Sequence, residues 1–145
     1  MDLFDSLAVS ASALSAERQR SEVIASNLAN AQTTHTQAGG PFRRREVVFQ
    51  PENSGPFSLA LSHASHGAAQ GVQVAQVMDD PTPPVMRYEP GNPDADKDGY
   101  VAYPAINPAM EMVDLMDSVR AYQLNASAVS ATKQMIQQTI EVLKS

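Results

Sequence analysis

The sequence predicts an α+β chain in which long N- and C-terminal helices pair as a coiled coil around a small β-rich middle domain. Two observations carry this. All ten prolines lie between Pro41 and Pro108, and all seven glycines lie between Gly39 and Gly99. Proline removes an amide donor and clashes with the preceding turn, and glycine costs backbone entropy, so segments lacking both are free to be helical. The second observation is that both such segments carry apolar residues at alternating steps of three and four, the heptad period. The boundaries that follow are an N-terminal helix over 1–31, a β-rich middle over 32–106 with Pro/Gly-rich turns, and a C-terminal coiled-coil helix over 107–145.

The first helix is predicted from Leu3 to about Asn30, near 40 Å at about 1.5 Å per residue. Its seam reads Phe4, Leu7, Ala11, Leu14, Arg18, Ser21, Ala25 and Leu28, with Arg18 and Ser21 as polar members. The second helix has a clear start. Asn107 can cap the first free amides, and Pro108 sits at the first helical position, where a missing N–H costs nothing. From there the seam runs Met112, Leu115, Val119, Tyr122, Ala126, Val129, Lys133, Ile136, Ile140 and Leu143, apolar at every position but Lys133. That length of heptad pattern argues for a coiled-coil partner.

Between the helices, candidate strands are Arg43–Phe49, Phe57–Leu61, Val72–Met78, Val85–Tyr88 and Tyr100–Tyr103, bounded by Pro and Gly clusters. Residues 50–70 are rich in Ser, Ala, Gly and His and read as a loop or weak hairpin. This middle is poor in large apolar groups, so its core is small. The helices outrun it, and off-seam Leu3, Val9, Val23, Ile24, Met110, Val113, Met116, Leu124, Met135 and Val142 are expected to stay partly wet. A helix apolar beyond one stripe is usually covered on more than one side, which calls for other molecules.

Composition removes several function classes. The net charge of −6 over 145 residues argues against a general nucleic-acid binder, which needs a basic face. The short run Arg43, Arg44, Arg45 reads as a strand edge or as salt-bridge partners. There is no cysteine, so thiol catalysis, disulfides and Cys-based metal sites are excluded. The start, Met1-Asp2-Leu3-Phe4-Asp5, has no positive region and no unbroken apolar run, so a cleavable secretory signal is not expected. No stretch reaches the roughly 18 apolar residues of a membrane span.

Two patterns imitate ligand sites. Asp94-Ala95-Asp96-Lys97-Asp98-Gly99 resembles the first half of a calcium loop. Its twelfth position, however, is Ala105 rather than a bidentate Glu, with Pro104 before it, and Pro90 and Pro93 deny it an entering helix. An acidic turn is the better reading, and a calcium-binding module using residues 94–98 is the rival. His63 and His66 form an H-x-x-H pair far in sequence from His35, without further ligands. No nucleophile elbow, phosphate-cradling loop or histidine beside a nucleophile occurs, so no enzyme, cofactor, metal or small-molecule substrate is expected.

The end of the first helix reads Ile24-Ala25-Ser26-Asn27-Leu28-Ala29-Asn30-Ala31, followed by Thr33. This resembles the N-terminal signature of flagellar rod and hook axial proteins. Pro41-Phe42-Arg43 and Val47-Val48-Phe49 resemble the family's continuation into its first strand. The blocks Asp80-Pro81, Tyr88-Glu89-Pro90-Gly91, Pro93-Asp94-Ala95-Asp96 and Gly99-Tyr100-Val101 are similar to the proximal-rod type, as is Pro104 through Glu111-Met112-Val113 to Arg120-Ala121-Tyr122-Gln123-Leu124-Asn125. The resemblance implies a non-enzymatic subunit of the basal-body rod, the periplasmic drive shaft for motility. It further implies delivery by the flagellar type III export apparatus and packing with other rod proteins and with copies of itself. A coiled-coil oligomer unrelated to flagella is the remaining alternative. The expected assembly interface comprises Leu7, Leu14, Asn27, Leu28 and Asn30 of the first helix. On the second it comprises Met112, Leu115, Val119, Tyr122, Val129, Ile136, Ile140 and Leu143. Asn27 and Asn30, three apart, share a helix face and can bond to a neighbouring chain or to the helix's own end.

Overall fold

The computed structural model describes residues 3–52 and 70–144, with the side chains of residues 143 and 144 outside that description. The expected strand Phe57–Leu61, the pair His63 and His66, and the side chain of Leu143 therefore lie outside the described residues. Elsewhere the architecture is α+β. Helix α1 spans Leu3–Ala29, strands β1 Arg45–Pro51, β2 Val72–Asp79, β3 Val85–Tyr88 and β4 Tyr100–Tyr103 follow, and helix α2 spans Pro108–Lys144. Helix α2 starts as the sequence indicates. The Ala109 N–H donates to the Asn107 side-chain oxygen at 3.0 Å, and the Glu111 N–H donates to the Asn107 carbonyl at 3.1 Å.

The strands form two two-stranded sheets, β1 with β2 and β3 with β4. The β3–β4 pair is antiparallel, with Val85 opposite Tyr103, Met86 opposite Ala102, Arg87 opposite Val101 and Tyr88 opposite Tyr100. A two-stranded sheet is marginal by itself and needs a packed face. Here that face is supplied around Val101, which is fully buried.

By contacts the chain divides into two compact units. One draws on Met1–Gln19, Val48–Gln76 and Ser118–Ser145, the other on Arg20–Val47 and Val77–Asp117. In the first, the Ser118 hydroxyl meets Glu17, while Leu3 lines one apolar groove with Met135, Gln138, Thr139 and Val142. These stretches of α1 and α2 thus run antiparallel. Strand β2 is tied to α1 where the Val72 N–H donates to the Ser12 hydroxyl oxygen at 3.0 Å. Gly71 permits that approach, since a Cβ there would lie 2.6 Å from both the Ser12 Oγ and the Glu52 Oε2.

In the second unit, the β3–β4 connection closes on Asp96, whose Oδ1 accepts the N–H groups of Asp98 at 2.9 Å and Tyr100 at 2.8 Å. Gly99 turns the chain at φ +80°. The Tyr88 and Tyr100 rings meet edge-on at 5.3 Å on one face, and the Arg87 guanidinium lies 4.6 Å from the Tyr103 ring centroid on the other.

Candidate assembly surface and its internal scaffold

Large apolar side chains are mostly outside. Among the described residues the buried hydrophobics are Ala16, Ile24 and Val101, whereas twenty large hydrophobic residues are exposed. On α2 the exposed set includes Met110, Met112, Val113, Met116, Val119, Tyr122, Leu124, Met135, Ile140 and Val142. Met112, Met116 and Val119 follow at helical spacing and form a continuous stripe. Methionine is flexible and polarisable, so such a stripe adapts to more than one partner surface.

Much of what is buried is polar. The largest fully buried side chains are Glu111, Val101, Asn27 and Ser118. At the C-terminal end of α1, the Asn27 amide donates to the Arg45 carbonyl at 2.8 Å and to the Glu111 Oε2 at 3.1 Å. Its own oxygen accepts the Arg45 N–H at 2.9 Å. The side chain therefore mimics one rung of a sheet ladder against the start of β1 and spends its remaining proton on a carboxylate from α2. The other Glu111 oxygen accepts the Arg44 Nε at 2.6 Å, and Arg44 also pairs with Glu46 and lies 3.6 Å from Asp114. Burial by itself would lower the Arg44 pKa, but the hydrogen bond and charge of Glu111, together with Glu46, outweigh it and the net shift is upward. A buried carboxylate is tolerable when paired and fully hydrogen-bonded, as Glu111 is.

The expected interface residues fall into distinct environments. Met112, Val119, Tyr122 and Ile140 are exposed, and Leu7, Leu14, Leu28, Leu115, Val129 and Ile136 are half-buried. Asn27 is neither bonded to its helix end nor presented to solvent, because its amide is committed to Arg45 and Glu111 within the chain. Asn30 does close its own helix, donating to the Ser26 carbonyl at 2.9 Å and accepting the Thr33 hydroxyl at 3.2 Å.

Inward positions on α2 are also displaced from the expected seam. Glu111, Ser118 and Thr132 are buried and Asn125 is half-buried, each seven residues from the next. They alternate with Leu115, Tyr122, Val129 and Ile136. An apolar search selects their neighbours Met112, Val119, Ala126 and Lys133 instead, because hydropathy cannot show that a polar group has a partner. The seven-residue recurrence was the available signal. On α1 the buried Ala16, Ile24 and Asn27 likewise lie off the expected stripe. Two members of the Arg43–Arg45 run are salt-bridge partners, Arg44 bound as above and Arg45 lying 3.7 Å from Asp79.

In the acidic turn the Asp94 and Asp96 carboxylates bond to the chain itself. The Asp96 carboxylate caps backbone amides, and the Asp94 carboxylate accepts the Thr34 hydroxyl at 2.5 Å. Among the described residues no group of three or more His, Cys, Asp or Glu is placed to hold a metal ion. Nor is any helix among them long and apolar enough to cross a membrane.

Comparison with known proteins identifies the family. Residues 7–34 match the family described as flagella basal body rod protein, and residues 97–142 match the flagellar basal body rod FlgEFG protein C-terminal family. The chain is 41% identical to the flagellar basal-body rod protein FlgC of Bacillus subtilis, covering 99% of this chain and 100% of that one. It is 36% identical to the protein of the same name from Borreliella burgdorferi, covering 99% of each. With the FlgC of Escherichia coli O157:H7 it shares 39% identity over 97% of this chain and 95% of the relative. The calcium-module reading is set aside on these grounds. A non-enzymatic role as a structural subunit of the basal-body rod fits both the relatives and a surface whose apolar residues face outward, and the chain belongs to the FlgC family of flagellar basal-body rod proteins.

Proposed function

We propose that the subunit joins the rod through the outward apolar sides of its two helices, which form coiled-coil contacts with the helices of neighbouring subunits. The exposed contact residues are Met112, Val119, Tyr122 and Ile140 on α2; half-buried Leu7, Leu14 and Leu28 of α1 and Leu115, Val129 and Ile136 of α2 flank them, and Leu143 completes the expected set. Asn27 and Asn30 serve the same surface indirectly, one by binding α1 to β1 and one by closing the helix. The neighbours are other rod proteins and copies of this chain, delivered to the periplasm by the flagellar type III export apparatus.

One observation carries the reading: among the described residues twenty large hydrophobics are exposed, against two that are fully buried, Ile24 and Val101. Each such side chain left in water forgoes about 1.5–3 kcal/mol of full burial. The experiment uses the absence of cysteine. Single cysteines at Met116 or Val119 are expected to form cross-links between subunits in isolated rods. The double variant Met116→Asp, Val119→Asp is expected to fold as wild type and to leave cells without rods. Full motility of cells carrying only that double variant would sink the proposal.

A further inference from the structure

The β3–β4 ladder of the second unit has a hollow at one end and a pair of exposed rings at the other. Pro84, directly before β3, and Pro104, directly after β4, line the hollow with Phe42, Asp80 and Arg43, around about 140 Å³. Two of its polar groups are unspent. One Asp80 oxygen accepts the N–H and the hydroxyl of Thr82, at 2.8 and 2.5 Å, while the other accepts nothing among the described residues. Arg43 is exposed, and among those residues no hydrogen bond or ion pair engages it, although Arg44 and Arg45 are both paired. At the far end Tyr88 stands opposite Tyr100, three residue steps from the Val85–Tyr103 pair, or roughly 10 Å. The Tyr88 ring is braced edge-on by Tyr100 at 5.3 Å and by Gly99, where a Cβ would lie 2.9 Å from it, yet the residue is 65% exposed. Its hydroxyl has no partner among the described residues, and neither has the carboxylate of the exposed Asp98 beside Gly99. With Asp94 and Asp96 against Lys97, that turn is net negative.

We propose that the hollow of one subunit receives the Tyr88 ring of a second copy, with Asp98 of that copy paired to Arg43 at the rim. The volume suits it, for a cavity of about 150 Å³ holds one benzene-sized ring. The phenol hydroxyl donates where Asp80 has a spare acceptor, and the carboxylate meets the spare guanidinium. Each group unspent at one end of the ladder thus has its complement at the other. A chain cannot fill its own hollow, since the ladder holds ring and hollow apart. The ring is already braced, so docking it costs little side-chain freedom. Because the two copies use different surfaces, the contact is heterologous and repeats head to tail, into a ring or a helical filament. It belongs to the middle of the chain and stands apart from the helix contacts proposed above.

The cysteine-free chain allows a direct test. Isolated rods carrying Arg43→Cys together with Asp98→Cys, treated with a short bis-maleimide, are expected to yield covalent multimers of the chain. Either single variant is expected to yield monomers, since a heterologous contact never sets a residue against itself. A charge swap gives the second readout. Arg43→Glu and Asp98→Arg are each expected to lower incorporation into rods about fivefold, the scale of like charges replacing an ion pair at an interface rim, and their combination to restore it. Tyr88→Ala is expected to match the single charge variants, and Tyr88→Phe to lose less. Monomers alone in the double-cysteine rods, or a double charge variant no better than its worse parent, overturns the proposal. A benzophenone label on Asp98→Cys that cross-links a different rod protein and not this chain overturns the second copy as occupant. Unchanged rods in the Met116→Asp, Val119→Asp variant would instead count against the helix contacts and leave this one standing.

Discussion

Replacing Asn27 with Asp is the sharpest probe of the internal scaffold, since it changes one amide nitrogen to oxygen and little else. Asn27 donates to Arg45 and Glu111 and accepts from Arg45. Asn27→Ala deletes all three bonds, leaving a buried carboxylate short of one donor and two backbone groups without partners. At about 1–3 kcal/mol for each buried group left unsatisfied, a loss of about 3–5 kcal/mol follows. Asn27→Asp keeps the shape and the bond from the Arg45 N–H, yet is predicted to be worse at neutral pH. It sets two carboxylates about 3 Å apart, a repulsion of roughly 5 kcal/mol at an effective dielectric of 20, before the Arg44 guanidinium offsets part of it. Sharing a proton between the two acids relieves that repulsion, so the Asp variant should gain on the Ala variant as pH falls from 7 to 5. Urea titration reads this directly. With slopes of about 1–3 kcal/mol per molar, a 3 kcal/mol loss moves the midpoint by about 1–3 M. An Asp variant as stable as the Ala variant at pH 7, or one that loses ground on acidification, would refute the account of Asn27 as a donor to a buried charge.

Other expectations follow from the same unit. Arg44→Met strands the Glu111 carboxylate without its cation and should cost about 3–5 kcal/mol, read in the same titration. Gly99→Ala must place a Cβ at positive φ, 2.9 Å from the Tyr88 ring and 3.2 Å from Pro90, and should lower the thermal midpoint by a loss of about 1–2 kcal/mol or more. The Glu89 carboxyl is held below its ordinary value by hydrogen bonds from Asn92 and then Tyr103. Its folded pKa lies below its unfolded one, so its stabilisation is present above the unfolded value of about 4.3 and is lost as pH falls through the folded value. Tyr103→Phe removes one of those donors, and NMR titration should show Glu89 moving back up; an unmoved Glu89 would contradict the assignment.

Much of this fold is legible because its punctuation is local. Proline and glycine confine the irregular region, Asn107-Pro108 marks the start of α2, and β3 and β4 span the residues their composition indicates. The scaffold is not local. Glu111 lies 84 residues from Asn27 and 67 from Arg44, and nothing near either residue in sequence announces the other. The displaced seam has a different cause. Heptad patterns are ordinarily sought among apolar residues, and in α2 half of the inward positions are polar. Their partners, whether Glu17, Asn27 or a carbonyl of their own helix, decide that they can be buried, and partners are a property of the fold.

The many apolar side chains left outside bear on how a rod subunit joins its neighbours. The outer residues Met110, Met112, Val113, Met116 and Val119 are each about half exposed. Covering what remains wet gains about 1–2 kcal/mol apiece, or roughly 5–10 kcal/mol for the set. Association costs about 4–15 kcal/mol in lost translational and rotational freedom before any side chain is ordered. One face against one neighbour therefore comes close to balance and holds weakly. A subunit that meets several neighbours at once loses that freedom only once while covering α1 and α2 on several sides, so retention in the growing rod rises steeply with the number of faces engaged. On this argument the exposed stripes favour incorporation at a site with several neighbours over pairing in solution. Single charge substitutions on one stripe should weaken rod assembly far more than they change the behaviour of the free chain.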